Sequence, residues 1–229
     1  MKKNVICLFA AAVFMQACTS GQQDAEQKDV IDANPSAEVS ALKLANEMIK
    51  YGYEQQSALS LLSGAQILLE TEYDQLREKK DGPAVDESEG EKKSRVSYNI
   101  ESILNDATEM AEGDENVQGI ATELGEFLNV VHRGAVGGPK RTIEKVRANS
   151  TDTYTINFIG GRLAEIVVSG DGDTDLDLYV YDSSGNLIEK DDDYTDDCYV
   201  SWYPKWTGKF IVKVVNRGGV WNEYVIVTN

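Results

Sequence analysis

Between Asp171 and Asp197 the chain carries eleven acidic residues and one basic residue, Lys190. Carboxylates at this density can do two kinds of chemistry. They can hold a hard cation, since calcium takes about six to eight oxygen ligands, carboxylates and backbone carbonyls among them. Alternatively, a pair of them can serve as acid and base on a glycosidic bond. The spacing favours the cation. Asp171 and Asp173 lie in a glycine-flanked turn, and Asp175 and Asp177 follow two apart in an alternating segment, which puts both on one strand face. Asp191, Asp192, Asp193, Asp196 and Asp197 form a second acidic loop. If the two loops meet at one end of a β-structure, Asp171, Asp173, Asp175, Asp177, Asp191 and Asp193 surround a calcium ion, whose charge relieves their mutual repulsion. The run is not an EF-hand loop, because Leu176 stands at the sixth position, where that loop needs glycine. The alternative is a solvated rim whose aspartates cap turns.

Aromatic residues are the second candidate site. Tyr179, Tyr181, Tyr199 and Tyr203 alternate with apolar neighbours and so face away from them. Tyr179 and Tyr181 are the candidate ligand-binding pair, able to stack on a sugar or grip a protein if their face is exposed. If another layer covers that face, they are packing residues. Catalysis by histidine would have to use His132, the sole histidine, placed at the end of a helical segment where the helix dipole favours it anyway. No His-Glu-x-x-His motif, nucleophile elbow or phosphate-cradling loop is present. An enzyme is therefore not expected. The rival reading is a carboxylate-dependent hydrolase acting on cell-wall or matrix glycans.

Two kinds of element must position these residues. Helical spacing begins after Asn34-Pro35-Ser36 with Val39, Leu42, Ala45, Met48 and Ile49, and Gly52 interrupts it. A second helix is predicted over 57–76, a third from Ile100 to Met110 stopped by Gly113, and a fourth capped by Asp114 and carrying Val117, Ala121, Leu124 and Leu128. Residues 77–95 are a mixed-charge segment without periodicity, read as a disordered loop. Residues 34–133 are thus a small helical bundle of two hairpins, with a pair of helical repeats as the other arrangement. The glycine-rich stretch 134–149 reads as a linker. From residue 150 the period becomes two: Tyr154, Ile156 and Phe158; Leu176, Leu178 and Val180; Cys198, Val200 and Trp202; Phe210, Val212 and Val214; Tyr224 and Ile226. Seven or eight short strands over 150–229 predict an antiparallel β-sandwich. The fold class is multidomain α plus β, helical bundle first and sandwich second.

The N-terminus carries a different signal. Lys2 and Lys3 precede a short apolar run, Val5–Phe14, and then Met15-Gln16-Ala17-Cys18. That run is shorter than the roughly 20 apolar residues of a membrane-spanning helix, so residues 1–17 read as an export signal. The residues before Cys18 resemble a lipoprotein box, with Met15 and Gln16 departing from it. The resemblance implies a lipid on Cys18 and a membrane anchor, and the polar, apolar-poor composition after it reads as a flexible tether over 18–33; the alternative is an ordinary signal cut at Ala17 with Cys18 free. By resemblance to Gram-negative sorting signals, Thr19 rather than aspartate after the cut permits transfer to the outer membrane, the expected place in the bacterial cell envelope. Loss of Cys7 and lipidation of Cys18 would leave Cys198 alone, so no disulfide can form within the chain. The formal charge is -17, and the export signal contributes only Lys2 and Lys3 to it. A chain this acidic is repelled by nucleic acid and by anionic headgroups, so nucleic acid is not a partner.

Residues 150–229 resemble the bacterial pre-peptidase C-terminal domain family. The carrying residues are Asp152-Thr153-Tyr154, the run Gly170 to Asp182 with its D-T-D-L-D-L-Y-V-Y-D core, Gly185-Asn186, Asp191-Asp192-Asp193 and Trp206-Thr207-Gly208-Lys209-Phe210. The resemblance implies a jelly-roll-like sandwich that usually accompanies a secreted peptidase, with relatives that bind calcium or matrix polymers. Residues 34–133 are too short for a peptidase, so only the module's binding roles carry over. Together these readings describe a membrane-anchored binding or structural module facing an envelope protein or polysaccharide.

Overall fold

The computed structural model describes residues 36–88, 94–130 and 138–229. The expected export signal, Cys18, the whole of the expected tether and His132 lie outside the described residues. None of the described helices is long and apolar enough to cross a membrane.

Among the described residues four helices form: α1 (Ala37–Glu54), α2 (Ala58–Glu70), α3 (Ile100–Met110) and α4 (Glu115–Val130). Three of the four starts are written in side chains. The Ser57 and Asn99 side chains accept the amides of Ser60 and Ser102, and Asp114 accepts those of Asn116 and Val117. Gly52, expected to interrupt the first helix, lies inside α1. A Cβ there would stand 2.6 Å from Leu61 Cδ2, and one on Gly64 would stand 2.6 Å from Ile49 Cγ1. The two glycines let α1 and α2 pack closely.

Among the described residues nine strands make two sheets, and β1 (Asp74–Gln75) is a short edge addition. The five-stranded sheet runs in the order β1, β2 (Lys140–Val146), β9 (Asn222–Thr228), β4 (Ala164–Gly170), β7 (Asp197–Trp202). The four-stranded sheet runs β3 (Thr151–Phe158), β8 (Gly208–Asn216), β5 (Leu176–Asp182), β6 (Leu187–Asp191). With β1 set aside, the sheets read first-eighth-third-sixth and second-seventh-fourth-fifth, the double Greek-key path of a jelly roll. Between the sheets lies a core built on Tyr154, Ile166, Leu178, Val200, Val212 and Ile226.

The helices do not form a separate body. Val167, Val225 and Val227, on the outer face of the five-stranded sheet, belong to the same core as Leu42, Ile49, Leu61 and Ile103. Residues 33–229 are accordingly one compact unit. Three expectations change with it. Helix α2 stops at Glu70 rather than continuing to 76, because Thr71 turns extended and the next apolar residues serve two layers: Tyr73 joins the helical core and Leu76 the core between the sheets. The linker 134–149 contains β2, which pairs with β9 from Lys140 to Val146. The segment read as disorder is ordered over 77–88, while 89–93 lie outside the described residues. Lys80 explains the order: its Nζ donates to Lys145 O at 2.6 Å and stands 3.2 Å from Asp152 and 3.4 Å from Glu144, beside the two-way backbone bridge of Asp81 to Thr153.

Candidate functional site

The strand β4 leads from one end of the sandwich to the other, and β5 and β7 start where β4 finishes. Both acidic loops therefore meet at that end, as expected. Their side chains are nevertheless engaged within the protein. Asp171 accepts the amides of Asp173 (3.2 Å) and Glu223 (2.7 Å), Asp173 accepts that of Ser94 (2.8 Å), and Asp191 that of Tyr199 (2.9 Å). Asp193 holds the amide and hydroxyl of Thr195. Asp177 receives Arg217 Nε at 2.5 Å. Lys50, reaching across from α1, lies 2.5 Å from Asp196 and 2.7 Å from Asp197. Asp175 differs: its Oδ1 is buried without a hydrogen-bond partner, and its pKa is raised by burial, then by Asp177 and Asp193. Among the described residues no group of three His, Cys, Asp or Glu is arranged to hold a metal ion. Three of the protein's own cations reach carboxylates at this end: Lys50, Arg217 and Lys190, whose Nζ lies 2.6 Å from Asp192.

The structure does bring the tyrosine pair together. Tyr179 and Tyr181 stack with centroids 6.4 Å apart at 26°. They stand on the outer face of the four-stranded sheet, the face the helices leave bare. Strand register extends this into rows. Thr153, Lys213, Tyr179 and Lys190 lie side by side, and so do Thr155, Ile211, Tyr181 and Leu187. The rings are held in place: Arg217 Nη2 donates to the Tyr179 hydroxyl at 3.2 Å, and Lys213 Nζ sits 5.1 Å from the Tyr181 centroid. Burial first, then Asp177, keeps the Tyr179 hydroxyl protonated to higher pH than usual, although Arg217 acts the other way. The other two tyrosines separate. Tyr199 packs under the helices and donates to Glu165, and Tyr203 is exposed at the far end.

No protein-family model and no curated protein matches this chain. Solved structures resemble part of it. One is PliG of Aeromonas hydrophila, a periplasmic inhibitor of g-type lysozyme: 13% identity, 43% of this chain and 91% of that one, TM-score 0.33. Another is the pre-peptidase C-terminal domain of a Bacillus anthracis collagenase: 18% identity, 38% of this chain and 88% of that one, TM-score 0.30. PliG of Salmonella Typhimurium gives 14% identity over 42% of this chain, with TM-score 0.29. Each likeness spans less than half of this chain and says nothing of what it binds.

Lys213, Lys190 and Arg217 were not among the candidates read from the sequence. Alternation puts Lys213 on the wet face of β8, but only pairing to β5 puts it beside Tyr179. Cys198 is a buried core thiol that donates to Leu176 O, and burial pushes its pKa well up.

Proposed function

We propose that the chain is an envelope protein, lipid-anchored through Cys18 in the outer membrane, whose jelly roll is a non-catalytic module that binds an envelope protein or polysaccharide. One observation carries this reading: helices cover one sheet, while the other presents a bare platform of paired tyrosines and lysines already fixed in position. Rigid aromatic groups lose little entropy when they bind, which suits them to recognition. The hydrolase alternative needs two carboxyls free to act about 5–10 Å apart in a cleft. Here Asp177, Asp196 and Asp197 are held in ion pairs. Calcium is not part of the proposal, because Lys50 and Arg217 supply positive charge at the acidic end.

The test is retention of residues 33–229 on isolated envelopes and on a panel of envelope polysaccharides, beside Tyr179→Ala/Tyr181→Ala. The double variant should bind at least about tenfold more weakly, a loss of roughly 1.4 kcal/mol or more. Equal retention sinks the platform. Release of reducing sugar would favour the hydrolase. Lipidation is read separately, from the mass of the mature N-terminal peptide.

A further inference from the structure

The end of the sandwich opposite the acidic loops has the reverse character. It includes residues 159–163, between β3 and β4, and 203–207, between β7 and β8, beside the β5–β6 turn at 183–186, where Asp182 accepts the amides of Ser184 and Asn186. The two segments lock together: Gly161 N donates to Pro204 O at 2.7 Å, and Gly160 N to Thr207 Oγ1 at 2.9 Å. Gly160 is a glycine because a Cβ there would lie 2.7 Å from the Trp206 carbonyl carbon. Three large hydrophobic residues project here, Ile159 (52% exposed), Tyr203 (45%) and Trp206 (43%). The charges beside them are Arg162, Lys205 and Lys209, and neither 159–163 nor 203–209 contains a carboxylate. In a chain of net charge -17 this is a segregated basic and aromatic tip.

Ser36, the first described residue, donates its amide to Glu165 Oε2 at 3.0 Å, and Glu165 is the second residue of β4, just beyond the tip. The described chain therefore begins at this end.

We infer that this tip docks on an anionic lipid surface. Trp and Tyr settle at the headgroup level of a bilayer, and an apolar neighbour with basic residues is the usual composition of an interfacial contact. Whole-chain charge does not prevent it. The acidic loops lie a seven-residue strand away, about 20 Å, whereas screening at 0.1 M salt acts over about 10 Å. The acidic end then points away from the membrane, and the open tyrosine sheet stands roughly perpendicular to it. Glu38 and Glu70, on the helices near this end, turn the contact towards the sandwich loops. The inference rests on the lipid-anchor reading only for where the tether ends; a tether would raise the local concentration of the tip at the surface.

The test uses residues 33–229, which hold both cores and every described strand and helix, and carry no lipid. Vesicles of phosphatidylethanolamine with phosphatidylglycerol should retain the protein at low salt, and vesicles of phosphatidylcholine should retain much less. Bromine-labelled acyl chains should quench Trp206, identified by its Trp206→Phe variant, but not Trp221 near the opposite end. Arg162→Glu/Lys209→Glu should weaken binding by about tenfold or more, with an unchanged melting temperature. Absence of vesicle binding, or binding unaltered by the charge reversals, overturns the inference. So does binding of the tip to envelope polysaccharide in place of vesicles. An unlipidated Cys18 with vesicle binding intact would overturn the anchor and leave the tip standing.

Discussion

The two sheets of this jelly roll are built alike and used differently. In the four-stranded sheet, buried and accessible residues alternate along β3 and β8, because one face meets the core and the other meets water. In the five-stranded sheet, every residue of β4 from Ala164 to Gly170 is buried, because the sandwich core lies on one side and the helices on the other. A sheet with one wet face writes its orientation into the sequence. A sheet buried on both faces writes only an apolar run, which fits a strand or a helix equally well.

The comparison can be broken most severely at matched positions on the two outer faces. Val225→Asp would bury a carboxylate under the helices, and should cost more than about 4 kcal/mol or unfold the protein in urea titration. Ile211→Asp, on the bare face, should cost no more than about 1 kcal/mol. Similar costs would mean that the helices do not cover the sheet.

Next is the ion pair that ties α1 to the acidic end. Lys50→Met leaves Asp196 and Asp197 without their cation, and should cost about 2–4 kcal/mol, the low end reflecting the partial exposure of Asp197. Burial lowers the Lys50 pKa, but Asp196 and Asp197 outweigh it, so the folded value lies above the ordinary 10.5. A raised lysine pKa stabilises fully below the unfolded value and is lost as pH rises through the folded one. The wild-type protein should lose stability above about pH 10.5 in a way that Lys50→Met does not.

A smaller effect belongs to Tyr98, which lies wholly buried beneath the covered sheet and donates its hydroxyl to Gly170 O at 2.7 Å. Tyr98→Phe leaves that carbonyl without this donor and should cost about 1–2 kcal/mol by chemical denaturation. The smallest expected change is the response to calcium. A thermal melt in excess calcium and in chelator should give the same midpoint, because Lys50 and Arg217 already neutralise carboxylates at that end. A rise of several degrees would show a bound cation stabilising the folded state and would return Asp173 and Asp175 to the role of ligands.

Much of the sandwich was legible. Tyr154-Ile156-Phe158, Leu176-Leu178-Val180 and Phe210-Val212-Val214 alternate in the sequence as they do in β3, β5 and β8. The strands β2 and β6 were not legible, since their mixed-charge residues lie at or near sheet edges. Leu76 misled for a physical reason: seven residues after Leu69, it keeps helical spacing while packing between the sheets. Of the candidate site, Tyr179 and Tyr181 were readable as a pair on one face, and whether that face was bare was not. The aspartates were readable as two loops. Their engagement by Lys50, from a helix 146 residues earlier in the chain, was not.

The sequence by itself determined the local choices: where helices start, which segments alternate, and where acidic and basic residues concentrate along the chain. These rest on periodicity, capping and composition, which act over a few residues. Only the tertiary structure decided which sheet the helices cover, which cations meet which carboxylates, and that the acidic loops and the basic aromatic tip fall at opposite ends. Those outcomes depend on the direction of β4 and on pairings between strands far apart in sequence, because a strand's alternation records that one side is wet and carries no mark of what lies on the other.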